Sequence, residues 1–118
     1  MRCCSIETHD VILLKKIVDY CNRIDGNLKR YNYSRAAFEE DCMFLDACCM
    51  CVVQIGELVG QLSDQAKKLN PAMPWRAIKD TRNFYVHAYG SIDVDAVWET
   101  LRSDIPALRE ACEKMLHS

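Results

Sequence analysis

The sequence is poor in the residues that punctuate chains. Four glycines and three prolines in 118 residues are too few turn signals for a many-stranded sandwich or barrel, which needs one every ~8–12 residues. It also lacks an excess of positive charge. The formal charge is −2 and the sequence pI is near 5.9, so the molecule as a whole has no electrostatic footprint for a long polyanion, and any nucleic-acid contact must be local. Charge interrupts the stretch from Met1 to Asp10 before a leader-like apolar run of ~7 residues can form, and no window approaches the ~18 apolar residues of a spanning helix. These features predict a soluble, cytoplasmic chain.

What is present is ordinary globular material, with 50% apolar and 27% charged residues. A chain of this length buries roughly two thirds of its unfolded surface around one core, so residues 1–118 are expected to form a single domain. Eight cysteines invite a disulfide reading. However, Cys42, Cys48, Cys49 and Cys51 fall in one helical segment, where neighbouring side chains diverge too much to bridge easily. Cys48 and Cys51 form a Cys-x-x-Cys pair without a second pair or a histidine cluster at ligand spacing. Reduced, packing thiols and no metal site are therefore expected.

Val11, Leu14, Val18, Cys21, Ile24 and Leu28 recur at three- and four-residue spacing, which predicts an amphipathic first helix capped by Thr8 or Ser5. Tyr31 to Ser34 breaks the pattern, and Ser34 is placed to cap a second, long helix starting near Arg35. That helix carries two apolar stripes, one through Phe38, Cys42, Leu45, Cys49, Val52, Gly56 and Val59, the other through Phe44, Cys48, Cys51, Ile55, Leu58 and Leu62. Two stripes need two partners, which predicts a homodimer if the chain itself supplies only one. Asn70-Pro71 and Met73-Pro74 break the chain. A third helix is predicted from Trp75 to about His87, ended by Gly90 and Ser91, and a last one begins at Asp93 with Pro106 forcing a kink or a restart capped by Ser103 or Asp104. Trp75 and Trp98 are expected in the core. The fold class that follows is all-α, an up-and-down bundle of four or five helices.

The segment Trp75 to Gly90 carries the chemistry. As one continuous helix it gathers Ala77, Ile78, Thr81, Phe84, Tyr85 and Ala88 on a core face and sets Arg76, Lys79, Arg82, Asn83 and His87 within an arc of about 160° on the opposite face. A break near Asp80 would rotate Arg76 and Lys79 away. Arg, Lys and Asn are often merely solvated, and a histidine near a helix C-terminus complements the dipole. The functional alternative is RNA cleavage without a metal. It needs a group titrating near neutrality to take the proton from a ribose 2′-hydroxyl and a fixed cation to stabilise the phosphorane, roles suited to His87 and Arg82. Asn83, four residues before His87, would orient the ring or the phosphate.

Arg82, His87 and Tyr89 form an Arg-x4-His-x-Tyr motif that resembles HepT-like toxins, minimal HEPN-domain ribonucleases. Flanking residues carry the resemblance further: Ile55-Gly56-Glu57, Pro74-Trp75-Arg76, Asp93, Val97-Trp98 and Asp104-Ile105-Pro106. It implies a HEPN-type bundle that dimerises with two motifs facing one cleft. It also implies the toxin component of a type II HEPN/minimal-nucleotidyltransferase toxin–antitoxin system, with Arg82 and His87 catalytic; Asn83, Lys79 and Arg76, from the polar helix face itself, are expected to hold RNA. Its partner would be a minimal nucleotidyltransferase antitoxin that neutralises the toxin by binding or by AMPylation of Tyr89; no cofactor is implied. Added AMP would put bulk and negative charge where an RNA phosphate sits. Ala88 stands where relatives often carry a charged residue. Gly56 is expected to permit close helix packing, and Glu57 either pairs with a motif cation or lies on the helix surface. The alternative is a non-catalytic HEPN nucleotide-binding or adaptor module that partners a nucleotidyltransferase, using the same cationic face without a titrating imidazole.

Overall fold

A computed structural model describes residues 7–83 and 93–117, and every regular element among them is helical. In chain order these are α1 (Thr8–Arg30), α2 (Arg35–Glu40), α3 (Cys42–Gln61), α4 (Asp64–Lys68), α5 (Trp75–Asp80), α6 (Val94–Glu99), a π-turn (Thr100–Asp104) and α7 (Ile105–Leu116). The all-α bundle is as expected, but built from more and shorter segments than four or five helices. Ser5, Phe84, Tyr85, His87, Ala88, Tyr89, Gly90 and Ser91, each given a role above, lie outside the described residues.

Local chemistry explains the boundaries. Neither expected cap starts α1: its N-cap is Glu7, without a side-chain hydrogen bond. At its other end Tyr33 N–H donates to Leu28 O (2.7 Å) and Asn32 N–H to Lys29 O (3.0 Å), the paired bonds that close a helix through a left-handed residue. Asn32 (φ 57°) supplies that conformation, and Tyr33 (φ 55°) shares it. Ser34 then caps α2 by accepting from Ala37 N–H at 3.1 Å.

The long second helix is interrupted. Asp41 is extended (φ −99°, ψ 101°), and its carboxylate accepts from the N–H groups of Met43 and Phe44, so an aspartate inside the periodic pattern acts as an N-cap that restarts the chain as α3. Tyr31 Oη donates to the same carboxylate. Its ring stacks on Phe44 with centroids 4.0 Å apart, while Phe38 meets Phe44 edge-on and contacts Trp98. This aromatic cluster ties α1, α2, α3 and α6 together; Trp98 is half-buried rather than in the core, whereas Trp75 is buried.

α3 lies between α1 and α5. Its two stripes merge into one broad buried face, Phe44, Cys48, Cys49, Cys51, Val52, Ile55, Gly56 and Val59, covered within this chain, so they do not by themselves call for a second subunit. Each fully buried Leu, Ile or Phe contributes roughly 1.5–3 kcal/mol. α3 is also long and apolar enough, by length and composition, to cross a membrane, which corrects the expectation that nothing in the chain approaches that limit; its burial against α1 and α5 is that of a core helix. The described thiols are free. Burial pushes Cys21, Cys48 and Cys112 up to about 12, as packing residues rather than nucleophiles.

Two hydrogen-bonded anchors hold the stretch between α3 and α5. Buried Asp10 of α1 accepts from Ser63 N–H (3.0 Å) and Oγ (2.6 Å), while Ser63 Oγ caps α4. Trp75 Nε1 donates to the carbonyls of Lys67 (3.1 Å) and Asn70 (3.0 Å), closing the Asn70–Pro74 loop under the start of α5. At the C-terminal end, Pro106 neither restarts the helix nor needs a side-chain cap. In an α-helix its ring would clash with the carbonyl of Arg102. The chain inserts a residue instead, with Ile105 N–H reaching back to Thr100 O, and runs on into α7.

Candidate active site

The α3–α5 contact positions the cations, and two glycines make it possible. A Cβ at Gly56 would stand 3.1 Å from the Lys79 carbonyl oxygen and 3.2 Å from both N and Cβ of Arg82, so only glycine lets the turn after α5 lie against α3 at this point. One helical turn later, a Cβ at Gly60 would meet the Lys79 side-chain carbons at 3.5–3.6 Å, ordinary contact. Gly56 and Gly60 thus form a shallow groove that takes the Lys79–Arg82 backbone and the stem of Lys79.

Glu57 faces the same turn. Its Oε1 accepts from Arg82 Nη1 in an ion pair whose side chains are 44% and 48% exposed. At that exposure the pair adds little stability, about 0–1 kcal/mol at most, but it fixes where the guanidinium points. Arg82 has five N–H donors in a planar fork, and among the described residues the Glu57 carboxylate takes one nitrogen, which leaves donors for a second oxyanion.

α5 ends at Asp80, and Thr81 forms the anticipated break. Its N–H bonds to Ile78 O at 3.1 Å and its hydroxyl to the same oxygen at 2.6 Å, a side chain competing with the helix ladder. Arg82 and Asn83 then return to helical conformation. Among the expected site residues, the structure brings the RNA-holding Lys79 and the catalytic candidate Arg82 together on the α3 groove. Arg76 and Asn83 are exposed and outside that groove. Ala77, expected on the core face, is exposed, while Ile78 is buried and Thr81 partly so. Beneath this turn a cleft of about 180 Å³ opens between Ile55, Ala77, Ile78, Thr81, Ile105 and Leu108. Among the described residues no cluster of His, Cys, Asp and Glu is arranged to hold a metal. His87 and Tyr89 are outside the described residues. The role of Gly60 escaped the sequence reading, although its four-residue spacing from Gly56 was the available signal.

A family profile described as ribonuclease HepT-like matches residues 6–115. The chain belongs to the HepT-like ribonuclease family. A Thermococcus cleftensis protein named "Probable ribonuclease HepT" is 38% identical over 61 residues, covering 52% of this chain and 56% of that relative's own length. A Methanocaldococcus jannaschii protein named for an inferred RNase activity is 26% identical over 105 residues, 89% of this chain and 83% of its own. A second from the same organism, similarly named, is 25% identical over 107 residues, 91% and 79%. No solved structure matches this HepT-like chain.

Proposed function

We propose that residues 1–118 form one HEPN-type domain that cuts RNA without a metal ion, as the toxin of a type II HEPN/minimal-nucleotidyltransferase pair. The observation that carries this reading is Arg82, the first residue of the Arg-x4-His-x-Tyr motif, seated by Gly56 and oriented by Glu57 beside Lys79. In the reaction, His87 takes the proton from the ribose 2′-hydroxyl, the 2′-oxygen attacks phosphorus, and Arg82 holds the charge that grows on the phosphorane oxygens. A protonated imidazole then returns a proton to the departing 5′-oxygen, which balances the step. Asn83, Lys79 and Arg76 would contact flanking phosphates. Five N–H donors on a pre-oriented fork suit a phosphate better than the point charge of a lysine.

Neutralisation in this reading is by a minimal nucleotidyltransferase that binds the toxin or attaches AMP to Tyr89, adding bulk and negative charge where an RNA phosphate would sit. The working species is a homodimer. Its support is the outer face of α3, where Met43 (77% exposed) and Met50 (48%) remain uncovered. One observation favours the alternative of a non-catalytic nucleotide-binding or adaptor module: Glu57 offsets part of the charge Arg82 would offer to RNA.

The test is cleavage of a mixed tRNA and single-stranded RNA pool in EDTA by protein of verified unmodified mass. Cutting by wild type and none by His87→Ala supports the nuclease. RNA or nucleotide binding without cutting by either protein supports the adaptor.

A further inference from the structure

A cleft lined by two arginines lies on the other side of the π-turn. The cleft beside Ile78 and Thr81 is bordered by Thr100, Asp104 and Ile105, and Ile105 also borders a separate cleft of about 150 Å³ whose polar rim is Tyr33, Asp25, Arg102 and Arg109 and whose floor includes Leu28. The extra residue that Pro106 forces into the helix sets the direction of Arg102, because the π-turn spans Thr100–Asp104. Such inserted turns often accompany functional sites.

Arg102 is held in an unusual way. Its guanidinium carbon stands 4.9 Å from the centroid of the Tyr33 ring and 5.7 Å from that of Trp98, so aromatic rings attend its faces. Among the described residues no carboxylate pairs with it. Its in-plane N–H donors, the part of a guanidinium that recognises oxyanions, are not taken up by an ion pair.

Tyr33 is itself constrained. An aromatic residue at φ 55° is rare and strained. It is held there by its hydroxyl, which donates to Asp25 Oδ1 at 2.9 Å. The second arginine lies on the first turns of α7. Arg109 donates to Asn22 Oδ1 at 3.1 Å and stands 3.9 Å from Asp25 Oδ2. Two guanidinium groups against one carboxylate leave the rim with one net positive charge, centred on Arg102. The floor beside it is apolar, which suits the flat face of a base or a ribose.

We infer that this cleft, formed by Tyr33, Arg102 and Arg109, binds the phosphate group of a nucleotide, either free or within an RNA chain. The site is separate from Arg82 and does not require cleavage, so it is tested in Arg82→Ala protein, where RNA stays intact and the first site is weakened. The arginine Nε–H resonances are followed while inorganic phosphate, AMP or a 2′-O-methyl hexanucleotide is added.

The expected result is a saturable shift of the Arg102 signal with AMP or the hexanucleotide, and at least tenfold weaker binding in Arg102→Ala. Arg102→Lys should restore less than half of the loss, because a lysine keeps the charge but not the fork. Arg23→Ala, on a surface cation of α1 paired with Asp19, should bind as the parent does. Response to AMP alone assigns the site to free nucleotide, and response to the hexanucleotide alone assigns it to RNA. An Arg102 signal unmoved by all three probes, or unchanged affinity in a folded Arg102→Ala protein, overturns the inference. So does an acidic peptide that binds more tightly than AMP.

Discussion

Glu57 of α3 and Arg82, the first residue of the motif, are ion-paired across the one place where glycine lets the two backbones touch. The pair is half-exposed and so contributes about 1 kcal/mol or less, whereas a reacting phosphate is sensitive to small misplacements of its cationic partner. Glu57→Gln should therefore leave the melting temperature nearly unchanged and reduce the RNA cleavage rate by about ten- to a hundredfold. A variant that cuts as fast as wild type would show that the carboxylate does not position Arg82.

The two groove glycines should respond differently to one added methyl. At Gly56 the new Cβ meets backbone atoms at 3.1–3.2 Å. Backbone gives way poorly, so Gly56→Ala should destabilise by about 1–3 kcal/mol, as overpacking does, and lower activity with it. At Gly60 the neighbours are flexible Lys79 side-chain carbons at 3.5–3.6 Å. Gly60→Ala should be neutral or stabilising by up to about 1 kcal/mol from helix propensity. Thermal denaturation of both variants checks the contrast, and equal effects would contradict it.

Acid should loosen the restart of α3. The N–H of Phe44, then the Tyr31 hydroxyl, then the N–H of Met43 hold the Asp41 carboxyl below its usual range. A carboxylate depressed in the folded state gives stability that is present above its unfolded value, near pH 4, and lost as pH falls through the folded value. Melting temperature against pH should thus fall more steeply on the acid side for wild type than for Asp41→Asn. Parallel curves would remove Asp41 from the account.

The thiols set the alkaline side. Burial raises Cys21, Cys48 and Cys112 from 9.0 to about 12. The unfolded chain therefore loses these protons first, and stability should decline as pH rises above about 9. At neutral pH a thiol reagent followed by peptide mapping should label Cys42, which is exposed, long before Cys21, Cys48 or Cys112. Equal labelling rates in folded protein would refute the packing role.

Much of this was legible from spacing alone. Ser34 and Asp93 were readable as caps because a short polar side chain precedes each periodic run, and both accept the expected N–H. Asp41 was not, because it lies inside an unbroken apolar pattern and only its tertiary partner Tyr31 distinguishes it from a solvated helix residue. Likewise Pro106 announced a disturbance without saying which kind. A kink, a capped restart and a π-turn all relieve the same clash with the Arg102 carbonyl, and packing chooses among them. At the site, residue types and motif were visible in the sequence, and pairing with a motif cation was one of the two readings of Glu57; that the cation is Arg82 was not visible, since Glu57 lies 25 residues earlier and the glycine groove brings the two together. The expectations for His87 and Tyr89 remain proposals, for they lie outside the described residues.

The most direct measurement is the single-turnover cleavage rate of wild type and Arg82→Ala in EDTA, with RNA affinity and circular dichroism recorded on the same samples. The account predicts a rate loss of a hundredfold or more, the usual consequence of removing one donor to a developing oxyanion, with affinity changed by less than about tenfold and helicity unchanged. Equal rates from the two folded proteins would contradict it.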